Sequence, residues 1–143
     1  MTTRRSLVAA AALIASSLGL VHSAVRADVV RHASVPESLR GTWAPSSEAC
    51  DNQVDKSVFV LSAKSYVSSE TNCAVDWVSE TAGARGPIYS AHLQCANAGQ
   101  QGRPITSNLV ILPKDIDQIS AGSSFDNLKI YRRCSAKEPD PKQ

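Results

Sequence analysis

The chain has 143 residues, with 15 lysines and arginines, 13 aspartates and glutamates, and four cysteines. Once an export signal is set aside, this length suits one ordinary domain and is too short for two. No basic run follows residue 27, which excludes the electrostatic footprint of nucleic-acid binding and argues against an anionic membrane as a partner.

Residues 1–27 have the pattern of a cleavable secretory signal. Arg4 and Arg5 precede an uncharged apolar run over 7–20, and small residues surround the exit at Ala27. The run is shorter than the roughly 20 residues that span a bilayer, so we expect cleavage near Ala27 and a soluble periplasmic or secreted protein. The Arg4-Arg5 pair is also similar to a twin-arginine signal, and the export route stays open between the two.

Removal of this segment changes the charge of the protein. The segment contains three arginines and no acidic residue, so 12 basic side chains remain against 13 acidic ones and the formal charge falls from +2 to −1. We divide the chain into the signal 1–27, an extended lead-in 28–38 with mobile first residues, a β-barrel domain 39–134 and a disordered tail 135–143.

Short strand-like segments recur along the mature chain, separated by turn signals rich in Gly, Pro, Ser and Asp. The predicted strands are 39–44, 57–61, 64–68, 73–79, 89–95, 104–112, 116–120 and 127–134, and 46–56 is predicted to be a polar loop. No segment has a convincing helical periodicity. The pattern predicts an all-β fold, a small antiparallel β-barrel or sandwich of about seven to eight short strands stapled by two disulfides.

The prediction of the disulfides depends on the antiparallel pair of strands 73–79 and 89–95. Both alternate with period two, which places Cys73, Val75 and Trp77 on one buried face and sets Cys73 opposite Cys95. Opposed residues on antiparallel strands lie about 4.5 to 5.5 Å apart, within disulfide reach. We therefore predict a Cys73–Cys95 bridge.

The remaining cysteines, Cys50 and Cys134, then form a second bridge that ties the first strand to the last. The chain has no Cys-x-x-Cys or His-x-x-x-His spacing. Four separated cysteines in an exported chain favour cystines over a metal site, so we expect neither a metal nor a cofactor.

Gly41 and Trp43 on a first strand, with Arg132 on a last strand, resemble the calycins, the lipocalin-type barrels. In those proteins a G-x-W packs under an arginine of the final strand and closes the barrel floor. The resemblance implies that Arg132, rather than Arg133, stacks on Trp43, because Leu128, Ile130 and Arg132 share a face. In size the chain is nearest to the small barrels that bacteria export as hydrolase or protease inhibitors, and 82–85 is weakly similar to the S-G-x-[KR]-Y loop of periplasmic lysozyme inhibitors.

No set of residues points to catalysis. His32 lies in the lead-in, and His92 lies on the predicted solvent face beside Ser90 and Gln94. No G-x-S-x-G element and no orienting partner for a histidine base is evident. We therefore expect that the protein is not an enzyme.

Two functions remain open for a monomeric domain. One is a protein-binding or hydrolase-inhibitor-like module, in which Arg85 and Arg103 project from loops rich in Gly and Pro and bind carboxylates of an exported protein or hydrolase. The other is a carrier of a small apolar ligand in the barrel interior, with candidate walls Phe59, Tyr66, Trp77 and Tyr89. The sequence favours the first function, because seven aromatic residues are few for a ligand cavity and an eight-stranded barrel is just wide enough for its own side chains to fill. An interior void of several hundred cubic ångströms would favour the carrier, and a filled interior the binding module.

Overall fold

The computed structural model describes residues 28–52, 55–96 and 103–135. The predicted signal 1–27 and nearly all of the predicted tail lie outside the described residues, and so does most of the predicted loop 99–104 that carries Arg103. Within them the chain forms antiparallel strands: β1 Val29–His32, β2 Gly41–Ala44, β3 Phe59–Leu61, β4 Ser65–Ser68, β5 Asn72–Gly83, β6 Gly86–Cys95, β7 Ile105–Asp115, β8 Gln118–Gly122 and β9 Lys129–Arg133.

Strands β2 to β9 form a closed eight-stranded barrel. Each pairs with the next along the chain, and β9 returns to pair with β2, where Trp43 lies opposite Arg133. Strand β1 is extra and pairs with the far part of β5. The prediction of an all-β, small antiparallel barrel is confirmed.

The barrel interior is filled at one end, which we call the closed end. Trp43, Leu61, Val78, Ile111 and Ile119 are almost completely buried there. A 3-10 turn, Glu37–Leu39, crosses beneath them, and the indole nitrogen of Trp43 donates a hydrogen bond to the carbonyl of Leu39 at 3.0 Å. This turn covers the core at the closed end of the barrel.

Both predicted disulfides are confirmed. Cys73 and Cys95 lie opposite each other on β5 and β6, with Cα atoms 3.9 Å apart. Cys50 reaches Cys134 at a Cα distance of 5.5 Å. Part of the predicted loop 46–56 is a short helix, α1 (Ser47–Asp51), whose first turn is capped by the hydroxyl of Ser46, and this helix holds Cys50 beside the barrel.

The predicted register of the β5–β6 hairpin holds for its first part only. Val75 lies opposite Leu93 as expected, but the register shifts between Val75 and Trp77, so that Trp77 lies opposite His92. An extra residue at such a bulge reverses which face the following side chains occupy. The prediction that Trp77 shares the buried face is therefore wrong; Val78 takes that place.

Part of the lead-in 28–38 belongs to the sheet. Its strand β1 pairs with β5 from Val29↔Thr81 to His32↔Val78. The imidazole Nε2 of His32 lies 2.6 Å from the carboxylate of Glu80, and Val35 is buried in the core. His32 therefore lies on a paired strand, with its side chain in contact with β5.

The arginine that covers Trp43 is Arg133, not Arg132. The guanidinium carbon of Arg133 lies 4.3 Å from the centre of the Trp43 ring, whereas Arg132 is exposed. The face of β9 is opposite to the predicted one because Tyr131 points inward and packs edge-on against Phe59, with ring centres 4.9 Å apart. Ile130 remains 57% exposed on the outside.

Candidate functional site

The end of the barrel opposite the 3-10 turn contains a cavity of about 720 Å³, which we call the mouth cavity. Strands β3 to β9 all contribute to its walls, and the Cys73–Cys95 bridge forms part of one side. Its inner surface is mainly apolar and aromatic, formed by Phe59, Tyr66, Leu93, Leu109, Ala121 and Tyr131. Pockets for small molecules usually have volumes of about 300 to 1,000 Å³.

Three aromatic rings form one side of the mouth cavity. The ring of Phe59 lies 5.3 Å from that of Tyr66 and 4.9 Å from that of Tyr131. Burial, followed by the proximity of Tyr131, raises the pKa of Tyr66, and burial raises the pKa of Tyr131. Both phenols therefore stay protonated at neutral pH and can donate a hydrogen bond to a bound molecule.

The rim of the mouth cavity is polar. Thr71, Ser107, Asn108, Ser123 and Asn127 line it, together with the charged groups of Glu70 and Lys129. Glu70 is paired with Lys56 at 2.8 Å. Among the described residues Lys129 has no ion pair, so its ammonium group is available at the rim.

The sequence predicted the walls of this site in part. Phe59 and Tyr66 line the mouth cavity, as the carrier hypothesis requires, whereas Tyr89 is buried below it and Trp77 lies outside the barrel. Tyr131 was missed. The sequence signal is that Tyr131 shares a face of β9 with Arg133, but the choice of that face as the inner one depends on the packing of the tyrosine ring against Phe59.

Arg85 and Arg103 are both exposed, as predicted, but they lie at opposite ends of the barrel. Arg85 is in the two-residue turn before β6, and Arg103 lies just before Ile105, which pairs with Cys95 at the far end of β6. The ten residues of β6 separate them by roughly 30 Å. The structure therefore does not combine the two arginines into one binding site.

The histidines lie in two polar clusters outside the mouth cavity. On the outer face of β5 and β6, the ring of Trp77 stacks on His92 with centres 3.5 Å apart, and the guanidinium of Arg31 lies 4.0 Å from the Trp77 ring. This places His92 on the outer face, as predicted. His32, paired with Glu80, holds β1 against β5.

Tyr89 lies beside the pair formed by His32 and Glu80. Its ring centre is 6.3 Å from that of His32. Burial raises the pKa of Tyr89, and the charge of Glu80 and a hydrogen bond with it add to the effect. Because the phenol stays protonated, it is a hydrogen-bond donor beside that carboxylate.

Asp115 and Asp117 lie at the turn between β7 and β8. The backbone amide of Asp117 donates to Asp115 at 2.8 Å, which closes the turn between β7 and β8. Across 28–52, 55–96 and 103–135, no three His, Cys, Asp or Glu side chains form a group that could hold a metal ion. Over the same ranges, no helix has the length and apolar character needed to cross a membrane.

Comparisons with protein-family models, with curated proteins and with solved structures find no match to this chain.

Proposed function

We propose that this chain is an exported, non-enzymatic binding protein that holds a small, largely apolar molecule in its mouth cavity. The observation that carries the proposal is the cavity itself, of about 720 Å³ with an aromatic floor and a polar rim. An eight-stranded barrel is just wide enough either to be filled by its own side chains or to hold one small ligand. Here the core fills one end and leaves the other open.

The chemistry of the walls indicates how such a ligand would lie. Its apolar part would contact Phe59, Leu93 and Leu109, and a hydrogen-bond acceptor would meet the phenols of Tyr66 and Tyr131. Polar groups of the ligand would remain at the rim near Lys129. Export is supported by the signal-like pattern of 1–27 and by the two disulfides, which are typical of oxidising compartments.

The resemblance to calycins supports the same proposal. Gly41 and Trp43 meet an arginine of the last strand, Arg133, and this arrangement seals the closed end. Gly41 has φ +140°, and a Cβ there would lie 2.8 Å from the Arg133 guanidinium. Glycine at position 41 therefore lets the Arg133 side chain approach β2 and cover this end of the barrel. The opposite end, which contains the mouth cavity, is then the entrance for a ligand.

The proposal is tested with Ser107→Trp, which places a bulky ring at the rim of the mouth cavity. Thr106→Trp is the matched control, because Thr106 is adjacent and exposed but does not line the cavity. The neutral probe N-phenylnaphthylamine should bind the wild type and the control one to one. Its affinity for Ser107→Trp should fall about tenfold or more, equivalent to about 1.4 kcal/mol.

Circular dichroism and thermal unfolding would show that both variants remain folded. Failure of the wild type to bind the probe, or equal binding by the two tryptophan variants, would contradict a ligand in the mouth cavity.

A second candidate function is recognition of another protein, as in a hydrolase-inhibitor-like module. The observation that favours it is the exposure of Arg85 at the end of a rigid hairpin, without a hydrogen bond or ion pair among the described residues. Arginine on a preorganised turn suits a carboxylate of a partner. Because Arg103 lies at the other end of the barrel, a single partner contact would use one arginine or the other.

A further inference from the structure

Strands β6 and β7 separate at the closed end of the barrel. Their pairing runs from Cys95↔Ile105 to Tyr89↔Ile111 and stops there, although β6 begins at Gly86 and β7 extends to Asp115. Pro87 and Pro113 lie on the parts of β6 and β7 that no longer pair with each other, although Pro87 still lies opposite Ala82 of β5 and Pro113 opposite Ile119 of β8. Proline has no amide hydrogen to donate to a ladder, so two prolines at this position account for the end of the pairing.

The gap between the strands is a recess of about 520 Å³, which we call the hairpin recess. Its walls include the apolar side chains of Ile88 and Leu112 beside the two prolines. The tip of the hairpin closes one side. Gly83 pairs with Gly86, leaving Ala84 and Arg85 as a two-residue turn, and Gly86 has φ +121°. The recess is therefore held open by paired strands on both sides.

Two cationic side chains line the hairpin recess, Arg85 from the turn before β6 and Lys114 from β7. Both are exposed, and neither forms a hydrogen bond or ion pair with any other described residue. Asp115 is adjacent to Lys114, but its carboxylate accepts the Asp117 amide. The recess thus combines an apolar wall with two positive charges that have no ionic partner among the described residues.

We propose that the hairpin recess binds an extended segment of a partner protein that carries an acidic side chain next to an apolar one. The apolar side chain would contact Ile88 and Leu112, and the carboxylate would lie between Arg85 and Lys114. The edges of β6 and β7 that face the recess do not pair with each other, so their backbone groups beside the two prolines can hydrogen-bond an extended main chain. This inference rests on the second candidate function and names its site and the chemistry of its partner.

The test uses the mature domain and a capped peptide, N-acetyl-Ser-Val-Glu-Leu-Ser-amide, followed by NMR titration of the backbone amides. The expected result is saturable shifts at 84–86, 88, 112 and 114. The same peptide with glutamine in place of glutamate should bind about tenfold more weakly, because it lacks the charge that the two cations recognise. Arg85→Ala and Lys114→Ala should each weaken the glutamate peptide by a similar factor and abolish the preference for glutamate.

Arg103→Ala is the matched control, since it removes the same charge from an exposed position at the other end of β6. It should leave both the shifts and the affinity unchanged. If the shifts instead lie near Arg103, the hairpin recess is wrong while recognition of proteins by the opposite loop stands. If neither peptide produces shifts at either end, both the recess and the second candidate function fail.

Discussion

Arg133 joins the first and last strands of the barrel through one side chain. It donates hydrogen bonds to the carbonyls of Ser38, at 2.7 Å, and of Arg40, and its guanidinium covers Trp43. The same side chain also donates to the carbonyl of Ile116 at 3.2 Å. One arginine therefore satisfies backbone carbonyls from the 3-10 turn, the start of β2 and the β7–β8 turn.

We expect Arg133→Ala to lower the free energy of unfolding by about 2 to 3 kcal/mol, from the loss of charged hydrogen bonds and of the contact with Trp43. Arg132→Ala, at an exposed neighbouring position, should change it by no more than about 0.5 kcal/mol. Urea unfolding of the two variants measures the difference. Equal losses would show that Arg133 does not hold the closed end.

The sequence alone could not show that Arg133, rather than Arg132, covers Trp43. The alternation on β9 permits two faces, one with Ile130 and Arg132 and one with Tyr131 and Arg133. Strand propensity does not decide between them. The inward face is chosen because a tyrosine ring buries more area than isoleucine and finds Phe59 at a suitable distance, and this contact depends on the closed barrel.

At the level of the elements, the β5–β6 hairpin shows which features period-two patterns predict. The strands, their antiparallel pairing and the Cys73–Cys95 bridge all follow from alternating apolar residues around a turn. The bulge before Trp77 does not, because one inserted residue leaves a plausible alternation on either side of it. The volume of the mouth cavity could not be predicted from the sequence either, since it depends on how far the core side chains fill the barrel.

Strand β1 is the element that is least integrated into the barrel, because it pairs with β5 only. Side chains fasten it on both faces: His32 bonds to Glu80, and Arg31 covers Trp77. We expect the double variant Arg31→Ala/His32→Ala to release β1 while the barrel stays folded. Backbone amides of β1 should lose protection from hydrogen exchange, and amides of β7 and β8 should keep theirs.

The control for this variant is Arg40→Ala, which removes a side chain from the neighbouring turn that bonds to Val35 rather than to β5. It should leave protection of β1 unchanged. If the double variant exposes β1 and the central strands to the same extent, then β1 is an integral part of the cooperative barrel.

At the scale of the whole molecule, the two disulfides differ in their position relative to the mouth cavity. The Cys73–Cys95 bridge lines the mouth cavity, whereas Cys50–Cys134 links α1 to the end of β9 and does not line it. The Cys50–Cys134 bridge joins residues 84 positions apart and links the chain near β2 to the end of β9, where these two strands pair to close the barrel. It therefore constrains the unfolded chain strongly while leaving the proposed ligand site untouched.

We expect Cys50→Ser/Cys134→Ser to lower the free energy of unfolding by about 4 kcal/mol, the loop-closure entropy for a loop of that length. The affinity of the folded variant for N-phenylnaphthylamine should remain at the wild-type value, because the walls of the mouth cavity are intact. Ser107→Trp should show the reverse, with weaker probe binding and nearly unchanged stability. The contrary outcome is loss of probe affinity in the cysteine variant under conditions where circular dichroism shows that it is folded. The mouth cavity would then depend on closure of the barrel between β2 and β9, and stability and binding would share one structural unit.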